Sequence, residues 1–221
     1  MHLATDLDGG SGEAGATMRR TGTRNLVDAA LAAGARRIVA QSVTWAYRGG
    51  DDPATEQTPL DLDADEPRLA AVQGVAALEE MVRELPEWVV LRYGELYGPG
   101  TRYTAWGLMA ERAYAGELVA DADISSFVHV DDAAAAAVAA LAWPPGAVNV
   151  CDDEPASGHE WVPVFCQSVN APAPRQATGT DRHGWARGAD NHHARVHLGW
   201  TPRYRSWRQG ITAATVAPTA P

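Results

Sequence analysis

The sequence predicts an α/β fold, a parallel sheet flanked by helices and followed by a smaller C-terminal lobe. Two short, almost wholly apolar runs, Arg37-Ile-Val-Ala-Gln-Ser42 and Trp88-Val-Val-Leu-Arg92, have the character of strands buried on both faces. Each follows a segment with apolar residues at helical spacing, and no hairpin turn signal separates strand from strand.

In order along the chain, His2–Thr5 reads as the end of a buried strand and 6–15 as a loop rich in Gly and Asp. A helix is expected from about Ala16 to Ala33, with Leu26, Val27, Ala30 and Leu31 on one side and Gly34 as its stop. The first strand then enters a turn-rich stretch, and the acidic, proline-punctuated segment 49–67 reads as surface loop. Val72, Val75, Leu78 and Val82 mark a second helix over 69–85, closed by Pro86, before the second strand. Beyond Gly100 the pattern changes. A helix over 105–115 precedes a short strand at 126–130, and Asp131 stands where an N-cap of the alanine-rich helix would be. A strand at 147–150, a helix over 158–169, and short helices at 194–198 and 207–213 complete the reading. Asp152-Asp153-Glu154 is most simply a solvated turn.

Bulk properties exclude several function classes. The 221 residues suffice for one substantial core. A net charge of -10 without a basic stripe argues against nucleic-acid or anionic-membrane partners. Two isolated cysteines, Cys151 and Cys166, form neither a disulfide framework nor a metal site, which suits a reducing cytoplasm. The start has no signal-peptide pattern and no apolar run approaches membrane-span length, so a soluble cytoplasmic protein is expected.

The order of segments resembles the NAD-dependent epimerase/dehydratase family, the extended short-chain dehydrogenase/reductase group. The resemblance is carried by Gly22-Thr-Arg-Asn-Leu26; Arg37–Ser42 followed by Tyr47; Leu91-Arg92-Tyr93 with Leu96-Tyr-Gly-Pro-Gly100; and Phe127-Val-His-Val-Asp-Asp132. Val148-Asn-Val150 and Leu198-Gly-Trp-Thr-Pro202 continue it. It implies a Rossmann-like core over residues 1–100 and a substrate-lobe region over 101–221, with the Val148–Val150 strand returning to the sheet. His2-Leu-Ala matches the end of the family's fourth strand. The chain therefore reads as front-truncated, its sheet incomplete and lacking about two βα units, on the order of 60 residues. Such a loss would expose a sheet edge for a partner or a second copy to cover.

Gly10-Ser-Gly12-Glu-Ala-Gly15 fits G-x-G-x-x-G literally. The motif works by presenting helix N-terminal amides to a pyrophosphate. Here Asp6, Asp8 and Glu13 crowd it with negative charge, and the next strand ends in Gln41-Ser42 rather than an acid, so it is read as a loop.

Family enzymes use a Tyr-x-x-x-Lys pair on one helix face and a nearby hydroxyl residue as acid–base machinery. The corresponding positions are Ala71 and Val75, and the chain contains no lysine. Ser42 and Thr44 stand at the strand end where the family hydroxyl falls, and Tyr47 is a displaced-acid candidate; these are the catalytic candidates. The resemblance assigns Ala4, Tyr93 and Gly94 to the cofactor side and Arg102 and Tyr103 to a substrate pocket. His129 is expected to brace the domain junction, and His192, His193 and His197 to be surface residues without metal-site spacing.

The resemblance implies NAD or NADP as cofactor, with binding in doubt for a truncated chain. It also implies a small-molecule substrate, a sugar nucleotide or other small oxygenated metabolite, handled by an atypical or degenerate oxidoreductase. The alternative is a cofactor-independent binding or interaction module, or a cyclase-type enzyme, built on the substrate lobe.

Overall fold

A computed structural model describes residues 1–2, 12–179 and 181–214 of the chain. Helix α1 (Gly12–Thr17) passes through a π-type turn, Met18–Gly22, into α2 (Thr23–Ala32). Strand β1 (Arg37–Val43), helix α3 (Arg68–Val82), and strands β2 (Glu87–Tyr93) and β3 (Glu95–Tyr97) follow. Next come α4 (Leu108–Tyr114) and the short strands β4 (Val119–Ala120), β5 (Ile124–Ser125) and β6 (Phe127–His129). The chain continues with α5 (Val130–Ala139), β7 (Gly146–Val150) and β8 (Ala156–Ser157). It closes with α6 (Gly158–Ser168), β9 (Arg175–Gln176) and α7 (Trp207–Ala214).

The central sheet is parallel, in the order β1-β2-β7. His2 lies parallel beside Ala40; its N–H donates to Val39 O at 2.7 Å, and its carbonyl accepts from Gln41 N–H at 2.9 Å. Alternation along the strands sends successive side chains to opposite faces. Ile38, Ala40 and Val90 pack with Val27, Leu78 and Val82 of α2 and α3. Val39, Val89 and Leu91 pack with Ala133, Ala136 and Ala137 of α5, and with Trp143 and Trp200. Burying both faces explains why the strand sequences are continuous apolar runs rather than alternating ones.

Helix α1 approaches α3 closely. A Cβ on Gly74 would come within 2.9 Å of Ala16 Cα, so only glycine fits there. The lobe has its own core, in which Tyr97, Tyr103, Phe127, Phe165, Trp207 and Ile211 are buried together. Among the described residues no helix is long and apolar enough to cross a membrane.

Two local expectations are corrected. Helix α5 begins at Val130, and its cap is His129, whose Nδ1 accepts from Asp131 N–H at 3.1 Å; Asp131 is already in the first turn. The segment 152–154 is not a solvated turn, because the C-terminal residues cover it. Asp152 is 1% exposed, Asp153 pairs with Arg195 and Arg205, and Glu154 pairs with Arg208.

Candidate active site

A cleft of about 580 Å³ opens where the turn after β1 meets the lobe. Its sheet side is formed by Thr44, Trp45, Pro67, Arg68 and Ala71, from the turn and the start of α3. Its lobe side carries Glu95, Asp121, Asp123, Trp161 and Trp185. Thr44 sits in a 3₁₀ turn, Thr44–Ala46, which follows β1 and brings this residue into the cleft lining. Three tryptophans and three carboxylates therefore face one space, with Arg68 as the cation among its lining residues. The Arg68 guanidinium is already engaged: it donates to Asp61, to Trp45 O at 2.9 Å and to Tyr47 O at 3.0 Å.

The other hydroxyl candidates lie elsewhere. Ser42 is 3% exposed and donates to Glu79 Oε1 at 2.7 Å. Glu79 in turn holds Arg92 through two bonds of 2.9 and 2.6 Å. Arg92 donates to the Tyr47 hydroxyl at 2.9 Å, and that hydroxyl donates to Asn149 Oδ1 at 2.5 Å. Ser42 and Tyr47 thus belong to one buried chain of bonds tying β1, α3, β2 and β7 together. Burial pushes the Tyr47 phenol well above its ordinary pKa, so it holds its proton at neutral pH.

Tyr93 faces the α5 side, where its hydroxyl donates to Ala133 O at 3.0 Å and burial raises its pKa. Gly94 allows close passage of the chain: a Cβ there would come within 2.7 Å of Ser126 O. Arg102 and Tyr103 reach the cleft indirectly, through Glu95. Arg102 donates to Glu95 Oε2 at 2.8 Å, and the buried Tyr103 hydroxyl lies 3.5 Å from the same oxygen. Ala4 and the G-x-G-x-x-G stretch up to residue 11 lie outside the described residues.

Among the described residues no cluster of His, Cys, Asp and Glu could hold a metal ion. His192 and His193 neighbour His197 with ring centroids 5.8 and 5.5 Å apart. His129 stacks on Tyr204 at 3.9 Å and meets Tyr97 edge-on at 5.2 Å, joining β6 to the C-terminal segment. Burial lowers its pKa. Both cysteines are free and buried, and burial raises the pKa of each thiol.

The model of the NAD dependent epimerase/dehydratase family matches residues 9–151. The chain belongs to that family. It is also 45% identical over 214 residues to a 3-diazoavenalumate denitrifying reductase from Streptomyces sp., an alignment spanning 89% of this chain and 70% of that protein. Among solved structures it is similar to the UDP-glucose 4-epimerase of Thermus thermophilus in complex with NAD. That likeness has a TM-score of 0.72 at 23% identity, covering 97% of this chain and 74% of that one. DesIV, a dTDP-glucose 4,6-dehydratase from Streptomyces venezuelae with NAD bound, gives a TM-score of 0.75 at 20% identity over 97% of this chain and 70% of that one. The fold is thus α/β, a Rossmann-like parallel sheet flanked by helices, with further C-terminal elements.

These matches correct the reading of a front-truncated family member, since they run along 89% to 97% of the chain. That reading used the short stretch His2-Leu-Ala as its register mark. In the described sheet His2 pairs beside β1, and helices of the chain cover both faces.

The family implies a nicotinamide dinucleotide, and the cleft meets that requirement in part. Thr44, Pro67 and Ala71 give its sheet side a small, uncharged surface against which a flat ring can lie. Val75, at the position of the family lysine, is 1% exposed and packs with Ala46 and Val72, so it offers nothing to a ribose hydroxyl.

Sequence reasoning did not single out Trp45, Glu95, Asp121, Asp123, Trp161 or Trp185. Glu95 lies on β3, Trp161 on α6 and the others in turns and loops, and no periodicity links them. The eight tryptophans were the one available signal.

Proposed function

We propose that this protein is a nicotinamide-dependent reductase that acts on a planar, cationic, diazo-bearing arene and replaces its nitrogen with hydrogen. The observation that carries this reading is the cleft itself, where Trp45, Trp161 and Trp185 stand beside Glu95, Asp121 and Asp123. Aromatic faces and carboxylates together suit a flat cation. A sugar nucleotide brings a diphosphate, and the lining cation Arg68 is already paired with Asp61. The diazo compound in the name of the 45% identical relative has the matching chemistry.

The absent acid–base pair supports the same reading. Epimerases and dehydratases of this family must take a proton from a substrate hydroxyl, which is the task of the Tyr/Lys pair. Reduced nicotinamide, when bound, supplies a hydride, and hydride transfer to an aryl diazonium requires no such base. The aryl C–N bond breaks, dinitrogen leaves with its electron pair, and a C–H bond forms. The arene gains two electrons and no proton moves. Ala71 leaves room where a tyrosine would stand, Thr44 orients the ring substituent nearest the sheet, and the tryptophans exclude water from the reacting carbon. In this reading residues 1–100 with β7 form the cofactor half, and the remainder of 101–221 the substrate half.

An anaerobic assay with a hydroxyl-bearing benzenediazonium salt tests the proposal. Oxidation of NADH or NADPH that depends on this salt, with dinitrogen evolved, supports it. Turnover of UDP-glucose without turnover of the diazonium would overturn it.

A further inference from the structure

We infer that Trp185 is a specificity-determining residue, the indole of the cleft wall against which the planar substrate packs, and that the Asp123–His183 pair is the latch that fixes it. The inference deepens the proposed reading of the cleft and rests on it.

Trp185 is set differently from the other cleft tryptophans. Trp45 and Trp161 pack against hydrophobic clusters, whereas Trp185 belongs to none of those formed by the described residues. Its position comes from polar bonds along residues 181–189. The His183 N–H donates to Asp123 Oδ1 at 2.8 Å, and the His183 Nδ1 lies 3.0 and 2.9 Å from the two Asp123 oxygens. Arg182 donates to Gly50 O at 2.7 Å, and the Gly184 carbonyl accepts from Gly50 N–H at 3.0 Å. Further on, the Ala186 carbonyl accepts from Ile124 N–H at 2.9 Å and the Ala189 N–H donates to Ser126 Oγ at 2.8 Å. The strap is therefore tied to the 48–54 loop on one side and to β5 and its neighbours on the other.

Two contacts orient the indole. The Arg68 guanidinium lies 4.7 Å from its ring centroid, and the His183 ring stacks near it at 5.7 Å and 30°. Arg68 is itself held by Asp61 and two backbone carbonyls, so it is a fixed abutment. A large apolar ring outside the core, half-buried and fixed in a cleft wall, costs ordering entropy that no core packing returns. Contact with a flat ligand does return it. Asp123 closes the argument, because it lines the cleft while gripping His183, so the latch and the carboxylate facing a cationic substrate are one residue.

The test uses the full chain and Trp185→Ala, Trp185→Phe and His183→Ala. N-methylquinolinium, a planar cation that cannot be reduced with loss of nitrogen, is titrated by calorimetry; the diazonium salt gives KM and kcat. Trp185→Ala should weaken probe binding and raise KM by about tenfold, a larger effect on KM than on kcat, with the melting temperature nearly unchanged. Trp185→Phe should restore most of the affinity, and His183→Ala should lose part of it without adding to Trp185→Ala in the double variant. Unaltered probe affinity in Trp185→Ala, no rescue by phenylalanine, or no probe binding by the wild type overturns the inference. If Trp185→Ala does not fold, His183→Ala alone decides by the same titration. Probe binding lost as expected in a protein without diazonium turnover overturns the proposed reaction and leaves the stacking role standing.

Discussion

The Ser42 hydroxyl donates to Glu79 Oε1 at 2.7 Å, so the serine at the end of β1 is committed to a buried ion pair and not to the cleft. Thr44, two residues on, lines the cleft. Ser42→Ala should therefore cost about 1 kcal/mol of stability and leave the kinetic constants almost untouched. Thr44→Val should lower kcat/KM by about tenfold at unchanged stability. Paired urea melts and steady-state assays separate the two, and the reverse pattern would place the working hydroxyl on Ser42.

Glu79 and Arg92 are 1% and 5% exposed at their side chains and joined at 2.6 Å. Glu79→Gln would leave the Arg92 charge buried without its carboxylate, a loss of about 3–5 kcal/mol. Urea unfolding of the variant checks the figure. A loss below about 1 kcal/mol would mean that water reaches the pair.

Ala71 and the acidic walls define what the cleft admits. Ala71→Tyr places a ring where the planar substrate is to lie, so reduction should fall at least about tenfold without any epimerase activity appearing. Product analysis with both substrate classes checks this. Epimerisation by the single variant would show that the tyrosine alone restores family chemistry.

Asp152 is buried, and burial raises its carboxyl to about 8, above the ordinary value of 3.8. Between those values the folded protein holds a proton that the unfolded chain has released, so this group's contribution to stability falls as pH rises to about 8 and then levels off. Asp152→Asn lacks this dependence. Relative to wild type, the variant should gain on the order of 1–3 kcal/mol between pH 5 and 8, read from urea midpoints. A constant difference across that range would show that Asp152 is ionised in the folded state.

The sheet was legible because burial on both faces writes itself as apolar runs: β1 was expected at 37–42 and spans 37–43, and β7 was expected at 147–150 and spans 146–150. The site was less legible. Its residues come from the β1 turn, the start of α3, β3 and the strap near Trp185, which only the tertiary fold brings together. Ser42, Thr44 and Tyr47 look alike as strand-end hydroxyls, and what separates them is the depth of Glu79 and Arg92, which a linear pattern does not encode. Asp152 misled for the same reason, since its burial depends on residues more than fifty positions later, at Trp207.

Deuterium transfer tests the proposed reduction most directly. Reduced nicotinamide deuterated on its transferable position, incubated with enzyme and diazonium salt in ordinary water, should give one arene deuterated at the former C–N carbon for each dinitrogen released. Arene carrying only solvent hydrogen, or dinitrogen released without nicotinamide oxidation, would contradict hydride delivery in this cleft.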